Sequence, residues 1–250
     1  MHTFPRLLAL TALAAVMSSG ALRAAVIETP QATLVLTDLE GGEIGRYNLF
    51  DYELRQEERL LKFDQKEEDV QFLNFFINDE KVQASGGIGF KADPFVQYAV
   101  GVSNFTGAPV NYVFIFSTPY VGGPYNAVSA SISSSATDGG QTPNGAVNVN
   151  PFTAESIVDG TTYLTLTTPC TLTGTPGFSG NCPMDADATN LLTAATGTFA
   201  AKISFTLSAR DLVSINGRTD LFNEVPEPAT LALLGAGLLG LAVVRRRVTH

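Results

Sequence analysis

The stretch Phe95-Val96-Gln97-Tyr98-Ala99-Val100-Gly101-Val102-Ser103 runs into Asn104-Phe105-Thr106-Gly107-Ala108-Pro109 and then Val110-Asn111-Tyr112-Val113-Phe114-Ile115-Phe116-Ser117. β-Branched and aromatic side chains dominate both flanks and suit a pleated, half-buried surface. The middle segment carries Asn, Gly and Pro, which interrupt a strand and turn the chain. The pattern predicts two strands joined as a hairpin. Thr198 to Ser208 repeats the signal. Phe199, Ala201, Ile203, Phe205 and Leu207 share one face there, because strand side chains alternate with a period of two.

Working outward, further β-prone runs lie at 32–36, 44–54, 70–77, 126–133, 146–149, 162–167 and 214–215. Helical signals are thin. Residues 56–63 and 66–76 are candidates without a wide apolar stripe, and 187–196 is a third, capped by Asp185 or Asp187. Many strands separated by Gly, Pro and Asn turns predict an all-β fold: an antiparallel β-sandwich, with a jelly-roll-like topology among the options. No repeat of fixed period is visible.

Composition bounds the function. Of 250 residues, 45% are apolar, too many for a wholly disordered chain, and 16% are charged. The formal charge of −9 argues against nucleic acid as a partner, which needs a basic face. Charge is uneven: residues 94–201 hold no Lys or Arg and only Asp138, Glu155, Asp159, Asp185 and Asp187 as acids. This pattern predicts one sandwich with a charged side and a neutral side.

The two ends have their own composition. Arg6, the apolar run Leu7 to Val16 and the small residues Ser18 to Ala21 come in the order of a secretory signal peptide, expected over 1–25. At the other end, Val225-Pro226-Glu227-Pro228 precedes sixteen apolar or small residues, 229–244, and then Arg245-Arg246-Arg247. At 1.5 Å per residue that run covers about 24 Å, a short transmembrane helix whose thin span snorkelling arginines accommodate. The three arginines act as a cytoplasmic stop-transfer signal and leave the body of the chain outside. The two prolines hold residues 225–228 extended and clear of any helix. The exported domain is expected over 26–224. It carries ten Lys plus Arg against twenty-three Asp plus Glu, a charge of −13.

The tail resembles the PEP-CTERM sorting signal of Gram-negative bacteria, with Pro226, Glu227 and Pro228 at the motif positions. The resemblance covers about residues 225–247, within a sorting segment expected over 225–250. It implies a precursor held transiently in the inner membrane and processed near the motif by an exosortase-type transpeptidase. It further implies a final place at the cell surface or in the extracellular matrix, associated with exopolysaccharide or biofilm. It implies nothing about the chemistry of the domain itself.

Cys170 and Cys182 are the only cysteines. In an exported chain they are expected to form a disulfide. His2 and His250 are the only histidines, so Ser-His-Asp, Cys-His and His-ligated metal chemistry are excluded from the exported domain. No catalytic residue and no cofactor are assigned. Asp185 and Asp187 alternate on a loop and form a weak Ca²⁺ candidate, too few carboxylates alone. Tyr120 and Tyr125 flank a Gly-Gly-Pro loop and are candidate sugar contacts. Asn104-Phe105-Thr106 has the form of an N-glycosylation acceptor, a chance match in a chain with a bacterial sorting tail, and the Ser/Thr-rich stretch 129–142 better suits an O-linked sugar or a loop. The leading expectation is a non-enzymatic structural or interaction protein. A carbohydrate-binding module is the first alternative. A glycosidase using two of Glu53, Glu57, Asp79, Glu80, Asp93, Glu155 and Asp159 is the second.

Overall fold

The computed structural model describes residues 29–54, 70–91, 94–121, 123–139, 146–173, 177–183, 185–190 and 196–223. The described residues form thirteen strands: β1 (Gln31–Thr37), β2 (Glu43–Asn48), β3 (Val70–Asn78), β4 (Val82–Lys91), β5 (Phe95–Asn104), β6 (Val110–Val121), β7 (Ala127–Thr137), β8 (Ala146–Val158), β9 (Thr161–Thr173), β10 (Ser179–Asn181), β11 (Asp185–Asn190), β12 (Thr196–Leu207) and β13 (Leu212–Phe222). They make two antiparallel sheets. The first has the order β2-β1-β6-β12-β8-β9. The second has the order β10-β7-β13-β5-β4-β3, with β11 also pairing β7. This is the expected β-sandwich.

The core lies between the sheets and follows the period of two. On β12, Phe199, Ala201, Ile203, Phe205 and Leu207 are all buried, as their alternation predicts. Aromatic rings fill the inner face of the first sheet: Tyr112 and Phe205 stack at 5.3 Å, and Phe152 meets Phe205 edge-on at 5.9 Å. Tyr98 of β5 reaches across to Phe116 of β6 at 5.4 Å. Gly217 lies where a Cβ would come within 2.2 Å of the Tyr98 hydroxyl, so its missing side chain makes room for that ring. Rings of this size supply much of the apolar area that drives folding.

β5 and β6 are strands, but they do not form a hairpin. They belong to opposite sheets, and the five residues Phe105–Pro109 arch from one sheet to the other. Both strands bury one face, and those faces must meet across the core, which an in-plane hairpin would prevent. Asn104, fully buried, organises the arch. Its Nδ2 donates to the carbonyls of Ala108, Leu207 and Ser208 at 2.9–3.1 Å, and its Oδ1 accepts from the Thr106 amide at 2.9 Å. The second arch, between β12 and β13, thereby locks onto the first. Such a buried amide has no free nitrogen for a glycan, in keeping with a chance sequon match.

Other expectations change for equally local reasons. Residues 70–76 of the helical candidate 66–76 are strand β3, with Leu73, Phe75 and Ile77 buried on one side. The candidate 187–196 is strand through Asn190, paired with β7. Residues 56–63 lie outside the described residues. The Ser/Thr-rich stretch is no loop through Thr137: it is β7, held between β13 and the short strands β10 and β11. Residues 44–54 end as strand at Asn48, where a 3-10 turn over Leu49–Tyr52 begins, capped by the Asn48 side chain. Leu49 is buried there. Beyond the turn, Glu53 bridges to Phe75 of β3, so the turn carries the chain from the first sheet to the second along one open edge.

The opposite edge is closed by the Cys170–Cys182 disulfide, which ties β9 of the first sheet to the residue just past β10 of the second. The expected pairing is therefore present. β8 and β9 are a true hairpin, turned by Asp159 (φ 50°) and Gly160 (φ 78°). Two residues with positive φ match the right-handed strand twist, and Asp-Gly is a favoured pair for such a turn.

Candidate functional site

The outer face of the second sheet carries a concavity. Cross-strand registers place side chains there in rows. Phe76 of β3 stands opposite Ser85 of β4, Ser85 opposite Gly101 of β5, Gly101 opposite Ser214 of β13, and Ser214 opposite Ser135 of β7. The next row is Asn74, Gly87, Ala99, Asn216 and Ser133. Small side chains at the middle of both rows leave a trough. It comprises two hollows of about 520 and 310 Å³ that share Ser85, Gly101 and Ser214. Gln83, Ser103 and Thr137 extend it in one direction, and Phe76 and Leu54 bound it at the β3 side.

None of the described residues lining the trough is ionisable. Two rows along from Ser214, Arg218 pairs with Asp220 at 2.6 Å and lies 4.2 Å over the Phe95 ring. The lining offers hydroxyls and carboxamides, each both donor and acceptor. Asn74 is 5% exposed, and its Oδ1 has no hydrogen-bond partner among the described residues. A buried acceptor without a donor costs about 1–3 kcal/mol.

The residues singled out by sequence lie elsewhere. Tyr120 (1% exposed) and Tyr125 (5%) are buried and meet edge-on at 5.8 Å. The Tyr120 hydroxyl donates to Asp159 Oδ2 and that of Tyr125 to the Val121 carbonyl, both at 2.8 Å. Their rings pack the end of the sandwich, where apolar area outweighs a solvent-facing role, so neither can stack on a sugar. Asp185 and Asp187 are on strand β11, not a loop, and the Asp187 carboxylate accepts from the Ala188 amide. Among the described residues no group of three or more His, Cys, Asp or Glu stands together to hold a metal ion.

The carboxylates considered for glycoside cleavage are dispersed. Glu155 pairs with Lys202 at 3.0 Å on the outer face of the first sheet. Asp159 is engaged by Tyr120 and by the Thr198 amide at the β8–β9 turn. Asp79 and Glu80 lie in the turn between β3 and β4, and Glu53 at the edge of β3. Glu57 and Asp93 lie outside the described residues.

Among shifted groups, burial, with help from the Asp79 charge, pushes the Tyr47 phenol up to about 12. Burial also raises the Asp211 carboxyl, opposed by hydrogen bonds from Ser208 and the Gly139 amide and reinforced by the Asp138 charge. Neither group lines the trough. Sequence reasoning missed the trough because its defining residues are Ser, Gly and Asn, the types that also mark loops.

The expected signal peptide, the motif positions Pro226, Glu227 and Pro228, the expected transmembrane helix over 229–244 and Arg245, Arg246 and Arg247 all lie outside the described residues. Among the described residues no helix is long and apolar enough to cross a membrane.

Residues 224–247 match the protein-family profile of the PEP-CTERM protein-sorting motif. The motif is that of exported proteins sorted to the cell envelope. No match is found among curated protein sequences. Among solved structures the chain is similar to TmCBM61 in complex with beta-1,4-galactotriose, at 14% identity over 62% of this chain and 88% of that one, with a TM-score of 0.30. It is also similar to a carbohydrate-binding module from the β-sandwich superfamily, at 10% identity over 78% and 74% of the two chains, TM-score 0.22. A third is infectious bursal disease virus, Gx strain, at 10% identity over 84% and 67%, TM-score 0.20. Superpositions this loose carry no argument about ligand or activity.

Proposed function

We propose that this chain is an exported, non-enzymatic interaction protein of the cell surface or extracellular matrix. Its precursor is anchored in the inner membrane by residues 229–244 and processed by an exosortase-type transpeptidase near Pro226-Glu227-Pro228. One observation carries the reading: the sorting motif begins at residue 224, two residues after the last strand ends at Phe222. A transpeptidase acting there releases the whole sandwich and cuts no strand. The trough supports binding over catalysis, since its described lining residues offer no acid or base. It also favours the second reading, a carbohydrate-binding module.

Intact mass of the protein recovered from its native host tests the sorting. The expected species begins near residues 22–26, lacks everything after about residue 228, and is found in the surface or medium fraction. A full-length tail confined to the inner membrane overturns the proposal and leaves an anchored periplasmic domain.

A further inference from the structure

We propose that the trough on the outer face of the second sheet binds an uncharged polysaccharide chain. The row from Phe76 to Ser135 crosses five strands, about 19 Å at ~4.8 Å per strand, enough for a short run of sugar units. Ser85, Ser103, Ser135 and Ser214 present hydroxyls, and Gln83 and Asn216 carboxamides, which exchange hydrogen bonds with sugar hydroxyls in either direction. Gly101 and Ala99 keep the floor low and apolar, and Phe76, 41% exposed, stands at one end as a ring for the C–H face of a sugar.

Charge decides the class of polymer. An anionic glycan meets no counter-charge among the described lining residues and is repelled by a domain of −13. A neutral one pays neither cost. Asn74 adds a carboxamide to the trough at 5% exposure, and its covered Oδ1 has no hydrogen-bond partner among the described residues. This site deepens the interaction role proposed above, but it does not depend on tail processing: binding and processed mass are read separately.

The test is affinity electrophoresis of the full-length protein in mild detergent. The gels contain the host's own extracellular polysaccharide, separated by anion exchange into neutral and acidic fractions. Retardation is expected in the neutral fraction and not in the acidic one. Gly101→Val is expected to weaken it at least tenfold. A Cβ at Gly101 meets only the Ser85 carbonyl, at 4.0 Å, so the branched side chain fits the strand and fills the trough. Asn74→Leu, which removes the orphan acceptor, is expected to weaken retardation while raising the unfolding temperature. Thr165→Val, on the outer face of the other sheet, is expected to bind as wild type. Absence of retardation in the neutral fraction, equal retardation in the acidic fraction, or wild-type retardation of both trough variants overturns the proposal. So does a dimer of the wild type that Gly101→Val dissolves, which would make the face a self-association surface.

Discussion

Replacing Asn104 with Ala tests whether the two arches are one cooperative device. The side chain serves three carbonyls and the amide and hydroxyl of Thr106, and Ala supplies none of those bonds. The Leu207 carbonyl is in the fully buried contact, whereas those of Ala108 and Ser208 are half-buried and recover part of the loss from water. With a cost of about 1–3 kcal/mol for each buried group left unpaired, the sum comes to about 3–5 kcal/mol. That is a large share of a domain stability of roughly 5–15 kcal/mol. Urea unfolding followed by tyrosine fluorescence and far-UV dichroism measures it, and an unchanged m-value certifies that stability alone moved. Asn104→Asp keeps the acceptor for Thr106 but turns an oxygen toward three carbonyls. Its folded state favours the protonated acid, so this variant loses stability as pH rises past about 4 and regains it on acidification. A loss below about 1 kcal/mol for Asn104→Ala, the scale of an exposed polar contact, would refute the reasoning.

Three further outcomes are expected. Asp211 is fully buried and its carboxyl is raised above the ordinary range, so the folded state holds its proton more tightly than the unfolded state does. Its contribution is complete below about pH 4 and is lost as pH rises through the folded value. Thermal melts between pH 3 and 7 should show a shallower decline for Asp211→Asn than for wild type, and parallel curves would contradict this. Replacing both Cys170 and Cys182 with Ser should cost about 3 kcal/mol in the same urea assay, the scale for a loop of this size. An unaltered midpoint would mean that the edge holds without its covalent tie. Tyr120→Phe removes the donor to Asp159, which keeps its bond from the Thr198 amide. About 1–2 kcal/mol of stability should go, with glycan retardation unaffected, and a loss of binding would return this ring to the candidate site.

How much was legible in the chain varies by element. Strands that alternate cleanly, such as β12, announce both their presence and their buried face. β4, Val82–Lys91, escapes because Gly86, Gly87 and Gly89 dilute strand propensity. At Gly86 a Cβ would come within 2.4 Å of the Ala99 carbonyl, so tertiary approach dictates the glycine. The far half of β8 is hidden by Pro151 and Glu155, although Asp159-Gly160 between two β-prone runs was a usable hairpin signal. The β5–β6 arch has the local chemistry of a hairpin loop. What separates the two is a long-range fact: Asn104 bonds to a strand end 103 residues away. The same limit hid the trough. It is made by side chains that are missing, from five strands whose registers no local pattern reports, whereas the sorting tail is contiguous and was readable outright.

The place of β13 has a mechanical consequence. This last strand is flanked on both sides, by β5 along Leu212–Asp220 and by β7 along Leu212–Phe222. A tether joined just beyond it transmits tension along the strand axis. Both hydrogen-bonded ladders are then loaded in shear, and their bonds must yield together, whereas a terminal edge strand would peel away one bond at a time. Resistance to forced unfolding is set by the rate of that concerted step. A molecule held at its C-terminal end against flow therefore grips its attachment through the middle of a sheet.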